Sequence, residues 1–143
     1  MKYTIASLVI MITLLGISCQ RKTPVADSSK ATGIIGKEWR LTTWSNQDIN
    51  PADYTVTANF TAEFISGKSA VNQYNGPYTI SKNFDFSVGQ VIMTRMAGTP
   101  DEMKVEQIYH ELLGKVKRYS LDNSGLALFD ENKNQLLFFI YNK

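Results

Sequence analysis

TPDEMKVEQIYHELLGKV, residues 99–116, is the stretch that decides how the rest of the chain can fold. Thr99 suits the N-cap of a helix, Pro100 suits its first position, and Glu102 completes a capping box. The apolar residues that follow recur at helical spacing and form one continuous face: Val105, Ile108, Tyr109, Leu112, Leu113 and Val116. The pattern predicts one amphipathic helix over about 100–114, with an apolar face that a sheet must cover.

On both sides of this helix, apolar and polar residues alternate with the period of two that is typical of strands. The clearest run is Val56 to Phe64, and we expect a turn at 66–68 behind it. The last strand, LLFFIY, is apolar on both faces, so we expect it either in the centre of the sheet or covered by the helix on one side and by the barrel core on the other. Further strands are predicted around Trp39 and Leu41, at 78–80, 84–88, 91–93, 117–121, 126–129 and 135–141.

Many short strands around one helix indicate an α+β fold that is mostly antiparallel β. We expect a small curled sheet or partly open β-barrel with the one helix packed on it. The polar stretch QRKTPVADSSKATG, which precedes the first strand, has no apolar period and is typical of a flexible tether.

Cys19 is the only cysteine of the chain, and it follows an apolar run from Ile5 to Leu15. That run is about 11 residues, whereas a membrane-spanning helix needs roughly 20. With Lys2 ahead of it and the small residues Gly16 and Ser18 behind it, the segment resembles a bacterial lipoprotein signal. The predicted organisation is a signal peptide over 1–18, a lipidated N-terminus and tether over 19–33, and one domain over 34–143.

A lipid on Cys19 would hold the protein at a membrane, because two or more acyl chains such as palmitate give stable anchoring. Gln20, rather than Asp, follows the cysteine, which favours the outer membrane with the domain facing the periplasm. The formal net charge is only +2, so the chain lacks the concentrated basic face that nucleic-acid binding requires.

Several motifs match those of a known family. Trp39 opens the first, Asn72 with Gly76 and Tyr78 forms the second, and the third runs from Thr94 through Arg95 and Met96 to Pro100, Met103 and Glu106. Together they resemble the META domain, a family that includes the bacterial heat-inducible HslJ proteins. The resemblance covers about 34–143 and implies a compact β-rich fold with one helix, often in exported proteins. It also implies an association with stress responses, but no enzymatic activity or ligand.

Relatives with this resemblance commonly carry one cysteine in each of the second and third motifs, where this chain has Val71 and Gly98. The resemblance therefore implies that Val71 and Gly98 lie close enough for a bridge between them. The remaining signature residues are interpreted as structural: Asn72, Gly76 and Tyr78 as a corner in which Gly76 takes an unusual φ, and 94–96 as the entry to the helix.

Catalytic and metal-binding patterns are missing from the sequence. His110 is the only histidine, and we interpret it as a residue at the rim of the helix. One histidine and no second cysteine leave zinc and other transition metals without their usual ligands. No nucleophile elbow or phosphate-binding glycine motif is present. We therefore expect no enzymatic activity, no cofactor and no metal.

Two functions remain open. The leading hypothesis is a non-enzymatic, lipid-anchored envelope protein with a binding or stress-protective scaffold role, whose partner is an unknown envelope protein. The alternative is a carrier or pilot-like module that holds an apolar ligand or acyl chain inside a partly open barrel. A connected apolar cavity of some 300 Å³ would favour the carrier, and a solid core would favour the scaffold. The sequence does not determine the oligomeric state.

Overall fold

The computed structural model describes residues 33–81 and 83–142, and the predicted signal, Cys19 and nearly all of the predicted tether lie outside that range. The described residues form nine strands and one α-helix, with a 3-10 turn at Pro51–Asp53. The strands are β1 Glu38–Trp44, β2 Thr57–Phe60, β3 Phe64–Ser69, β4 Asn72–Ile80, β5 Phe86–Val88, β6 Ile92–Met93, β7 Arg118–Leu121, β8 Leu126–Phe129 and β9 Gln135–Tyr141. The helix, α1, is Pro100–Lys115.

All strand pairings between these elements are antiparallel, in the order β5-β4-β3-β2-β1-β9-β8-β7. The two outer strands approach each other, since Phe86 N donates to Lys117 O at 2.8 Å and Tyr119 N donates to Phe84 O at 2.9 Å. The sheet is therefore a nearly closed barrel, which confirms the predicted fold class. β9 lies between β1 and β8. Its end is not covered on both faces, contrary to what its apolar sequence predicted, because Ile140 is 40% and Tyr141 46% exposed.

The barrel interior is filled by the alternating apolar residues of the strands. In β4 every second residue is buried, from Asn72 to Ile80. Aromatic rings make much of the contact: the Phe60 ring centroid lies 5.2 Å from that of Tyr78 and 6.1 Å from that of Phe86. Tyr109 of α1 meets Phe139 of β9 at 6.5 Å, so the core of the barrel continues into the helix.

α1 begins and ends close to where the sequence predicts. The Thr99 hydroxyl accepts from Glu102 N at 3.3 Å, and Glu102 Oε2 accepts from Thr99 N at 2.8 Å, which completes the capping box. Val116 lies just beyond the helix. The predicted face is turned inward, with Val105, Tyr109, Leu112 and Leu113 buried and Ile108 partly buried against the core. No helix in the described ranges has the length and apolar character needed to cross a membrane.

The hairpin between β2 and β3 differs from the sequence prediction. The expected strand over 56–64 breaks after Phe60, because the Thr61 hydroxyl accepts from Phe64 N at 3.0 Å and closes a turn. The expected turn at 66–68 lies inside β3, and the chain turns instead at Ala70, which has a φ of 65°. Gly67 is needed for close approach, since a Cβ there would overlap Thr57 O.

β6 is the second difference. A strand is predicted at the apolar run 91–93, and β6 has only two residues, both of them exposed. β6 pairs with the first half of β4, where Tyr74 faces Met93 and Asn75 faces Ile92. The second half of β4 pairs with β5 instead. β6 therefore lies outside the barrel path, beside α1.

Candidate functional site

A buried carboxylate joins α1 to the sheet. Glu106 is only 6% exposed, and it points from the helix toward the turn between β3 and β4. Its Oε2 accepts from Asn72 N at 2.8 Å and from the Ser69 hydroxyl at 2.9 Å, while its Oε1 accepts from Asn72 Nδ2 at 2.9 Å. Hydrogen bonds to a charged acceptor are stronger than neutral ones. Glu106 thus clamps the helix onto the turn.

Asn72 extends this clamp to the segment that leads into the helix. Its Oδ1 accepts from the Thr94 hydroxyl at 2.7 Å and from Met96 N at 2.8 Å, and its Nδ2 also donates to Met96 O at 3.2 Å. The Ser69 hydroxyl reaches Asn72 O at 3.1 Å. The backbone amide, the backbone carbonyl and both side-chain polar atoms of Asn72 therefore all form hydrogen bonds within this region. We call Ser69, Asn72, Thr94, Met96 and Glu106 the carboxylate clamp.

Val71, in the turn between β3 and β4, lies next to Gly98, in the segment that leads into α1. A Cβ built on Gly98 would overlap Cγ2 of Val71 and would lie 3.3 Å from its Cγ1. The two residues are therefore neighbours, as the hypothesis of a bridge between these positions requires. The side chain of Val71 occupies the space that a side chain at position 98 would need. Val71 and Gly98 therefore pack together at the place where a disulfide bond would fit.

Three rings lie beneath the clamp. The hydroxyls of Tyr74 and Tyr109 are 2.6 Å apart, and Tyr74 donates to Thr57 O at 2.9 Å. Burial raises the pKa of both tyrosines, so neither hydroxyl ionises near neutral pH. The His110 ring stands edge-on to both, with centroids 5.4 Å from Tyr74 and 5.3 Å from Tyr109.

An open groove of about 720 Å³ runs along the outer side of α1. We call it the α1 groove, and it is lined by Met93, Pro100, Met103, Lys104, Glu106, Gln107, His110 and Glu111. Two apolar side chains of its lining are exposed, Met93 at 46% and Met103 at 42%, and Ile92 and Met96, which lie outside the lining, are 69% and 63% exposed. Isolated exposed apolar residues need no explanation, but a contiguous group marks an interaction surface.

The other signature residues take no part in the hydrogen bonds of the clamp. Trp39 is buried in β1 and its Nε1 donates to Ile34 O at 3.0 Å, while the Tyr78 hydroxyl donates to Thr61 O at 2.7 Å. Arg95 is exposed. Gly76 does not have the unusual φ that the sequence interpretation gave it. It is required instead by close backbone approach, because a Cβ there would lie 3.2 Å from Gln90 O and from Val91 Cα.

Sequence reasoning missed three residues of the site. Ser69 carries no local signal, because its partner Glu106 is distant in the chain. Met93 was predicted only as part of an apolar strand, and His110 was interpreted only as a rim residue. The clustering of methionines in the domain was the available signal, because the only three methionines after residue 33 are Met93, Met96 and Met103.

The chemistry of the clamp is structural. Glu106 accepts three hydrogen bonds and holds backbone groups, so its carboxylate is engaged in joining elements. Within the described part of the chain, no three His, Cys, Asp or Glu side chains are grouped so that they could hold a metal ion. The predicted lipidation site Cys19 lies outside the described residues.

In this chain a nearly closed antiparallel barrel is fastened to a single helix by one buried carboxylate. A family model for the META domain matches residues 32–142. The chain therefore belongs to the META domain family, as the sequence motifs indicated. A search of curated proteins finds no match.

Solved structures share the fold at low sequence identity. An NMR structure of a protein from Burkholderia xenovorans has a TM-score of 0.63 at 17% identity, and the match covers 100% of this chain and 99% of that one. A crystal structure of a DUF4847 family protein from Bacteroides vulgatus has a TM-score of 0.59 at 14% identity, covering 80% of this chain and 98% of that one. These likenesses establish the fold and nothing about activity.

Proposed function

We propose that this META-domain protein is a non-enzymatic, lipid-anchored binding or scaffold protein of the bacterial envelope, with a stress-protective role. The observation that carries the proposal is the contrast between its interior and its surface. The interior is filled by its own side chains, whereas exposed apolar side chains gather on β6 and along the α1 groove. Such a molecule acts through its surface.

The solid interior favours a scaffold over a carrier of acyl chains. Phe60, Phe86 and Phe139 each are at most 2% exposed and contact neighbouring rings across the barrel. A carrier needs an enclosed apolar space of some 300 Å³ or more for its ligand. The α1 groove has the volume but is an open surface lined by Lys104, Gln107 and Glu111 as well as by methionines.

We expect the tether to join the domain at one end of the barrel. The described chain begins at Gly33, beside Leu121, and Gly36 N donates to Phe60 O at 3.1 Å, next to the β2–β3 turn. The clamp lies at the other end of β3, at the β3–β4 turn. A lipid on Cys19 would therefore tether one end of the barrel and leave the α1 groove at the opposite end.

The surface beside α1 suits an extended apolar segment of another envelope protein. β6 pairs with β4 along one edge, and no strand pairs with its other edge in the part of the chain that the structure describes. An extended peptide can add to such an edge through main-chain hydrogen bonds, with apolar side chains entering the neighbouring groove. Methionines suit this role because their side chains are long, unbranched and adaptable.

Photo-crosslinking in the native envelope tests the proposal. A benzophenone amino acid replaces Ile92 on β6, and in the control chain it replaces Thr79, an exposed residue of β4 outside this surface. We expect a discrete protein adduct from the Ile92 chain and none from the Thr79 chain. Ile92→Lys, added to a chain with the crosslinker in place of Met93, should abolish the adduct. Equal adducts from both positions, or adducts to lipid alone, would refute docking at this surface.

A further inference from the structure

The soft-ligand residues of the domain converge on one groove. Met93 and Met103 line the α1 groove together with His110, the only histidine of the chain. Thioether sulfur and neutral imidazole nitrogen are both metal ligands.

The strand register connects Met93 to His110 through Tyr74. Met93 lies directly opposite Tyr74 in the β4–β6 pair, and residues opposite each other on antiparallel strands point to the same face. Tyr74 in turn contacts the His110 ring, with centroids 5.4 Å apart. Met103 lies seven residues before His110, which puts it on the same side of α1. Three potential ligands therefore border one space.

His110 has an unused nitrogen. Its Nε2 is buried and has no hydrogen-bond partner among the described residues. An unpaired buried polar atom is costly and calls for an explanation. A neutral imidazole nitrogen without a hydrogen-bond partner can offer its lone pair to a metal ion.

We propose that Met93, Met103 and His110 form a binding site for a soft monovalent metal ion, copper(I) in the cell. Methionine thioethers select copper(I) over harder divalent ions, and zinc sites prefer thiolate, imidazole and carboxylate. Glu111 and Lys104 also line the groove, with one negative and one positive side chain. The methionine side chains have three rotatable bonds each, so both sulfurs can move toward Nε2 when the ion enters.

This inference goes beyond the docking role and does not depend on it. Copper(I) binding requires the three side chains of the groove, whereas docking of an apolar segment requires the β6 edge and the exposed Ile92. Loss of the crosslink with copper binding intact would overturn docking alone. Loss of copper binding with the crosslink intact would overturn the metal site alone.

Anaerobic competition with a chromophoric copper(I) chelator measures the affinity. The full-length chain in detergent carries Cys19→Ser, which removes its only thiol. We expect one copper(I) ion per chain, and an affinity at least about tenfold weaker in Met93→Leu, in Met103→Leu and in His110→Gln. Met96→Leu is the matched control: Met96 is exposed but does not line the groove, so its affinity should equal that of the parent.

Silver(I), which has no redox chemistry here, gives a second readout. In NMR spectra the methyl signals of Met93 and Met103 and the ring signals of His110 should shift on silver(I) addition, and the Met96 methyl should not. These shifts in the parent chain do not depend on whether any variant folds. Unchanged affinity in the Met93 and Met103 variants, or silver(I) shifts confined to Met1, Met11 or Met96, would overturn the site.

Discussion

Glu106 is the residue on which the connection between the helix and the sheet depends. Its carboxylate is buried, and it accepts from a hydroxyl, a backbone amide and a side-chain amide. A buried acceptor that loses its partners costs more than the average worth of one hydrogen bond. The family motif that contains Glu106 is therefore explained by the joining of two elements.

Glu106→Gln should lower the free energy of unfolding by about 2 to 3 kcal/mol, because the new amide group faces Asn72 Nδ2 and sets two donors against each other. Urea denaturation followed by tryptophan fluorescence measures the change. Glu111→Gln is the control, since Glu111 is exposed on the same helix and should change stability by less than about 0.5 kcal/mol. Equal stability of the two variants would show that the clamp contributes nothing.

Sequence motifs pointed to Asn72, Thr94, Met96 and Glu106, but their assembly into one clamp could not be predicted. Asn72 and Glu106 are separated by 34 positions, and nothing in a hydrogen-bonding residue indicates its partner. The same limit applies to Gly76. The sequence suggested that Gly76 has an unusual φ. The glycine is explained instead by the Val91 backbone, which lies close to it only in the folded structure.

Among the elements, α1 was the most predictable because its signals are local. Thr99, Pro100 and Glu102 specify the start within four residues, and the apolar spacing specifies the face. The β2–β3 hairpin was not predictable from alternation. The Thr61 side chain closes a turn within an alternating run, and Gly67 marks close approach of β2 instead of a turn.

The capping box gives a prediction for α1. The Thr99 backbone amide and then its hydroxyl lower the pKa of Glu102 by hydrogen bonding. Thr99→Ala should therefore move that pKa back toward its ordinary value and cost about 1 kcal/mol of stability. Since the folded pKa is lowered, the stabilisation is present above the ordinary carboxyl pKa and is lost as the pH falls through the folded value.

NMR titration of the Glu102 carboxyl carbon measures the pKa, and urea denaturation at neutral pH measures the stability. Thr99→Ser keeps the hydroxyl and is the matched control, with both quantities close to those of the parent. If Thr99→Ala left the Glu102 pKa unchanged, the side-chain half of the capping box would not form in solution.

For the whole molecule, the closeness of Val71 and Gly98 gives a prediction about stability. In a Cys19→Ser background, Val71→Cys with Gly98→Cys should form a disulfide, because the two positions are already in van der Waals contact. A loop of this length predicts a gain of about 3 to 4 kcal/mol in the free energy of unfolding. The melting temperature with and without a reductant measures the gain.

The single variant Gly98→Cys is the control for the disulfide. Its new side chain would overlap Val71, so it should be less stable than the parent in both conditions. A double variant that remains fully reduced under oxidising conditions would show that the β3–β4 turn and the helix entry are not neighbours in solution.

The central claim for the whole molecule is that a solid barrel works through its surface and carries no lipid inside. Native mass spectrometry of the protein extracted from its own envelope tests this claim most directly. We predict covalent lipid that is lost in Cys19→Ser, no non-covalent lipid on the folded chain, and a protein as the retained companion. A stoichiometric lipid that stays bound to the Cys19→Ser chain would contradict the account and show that the barrel is a carrier.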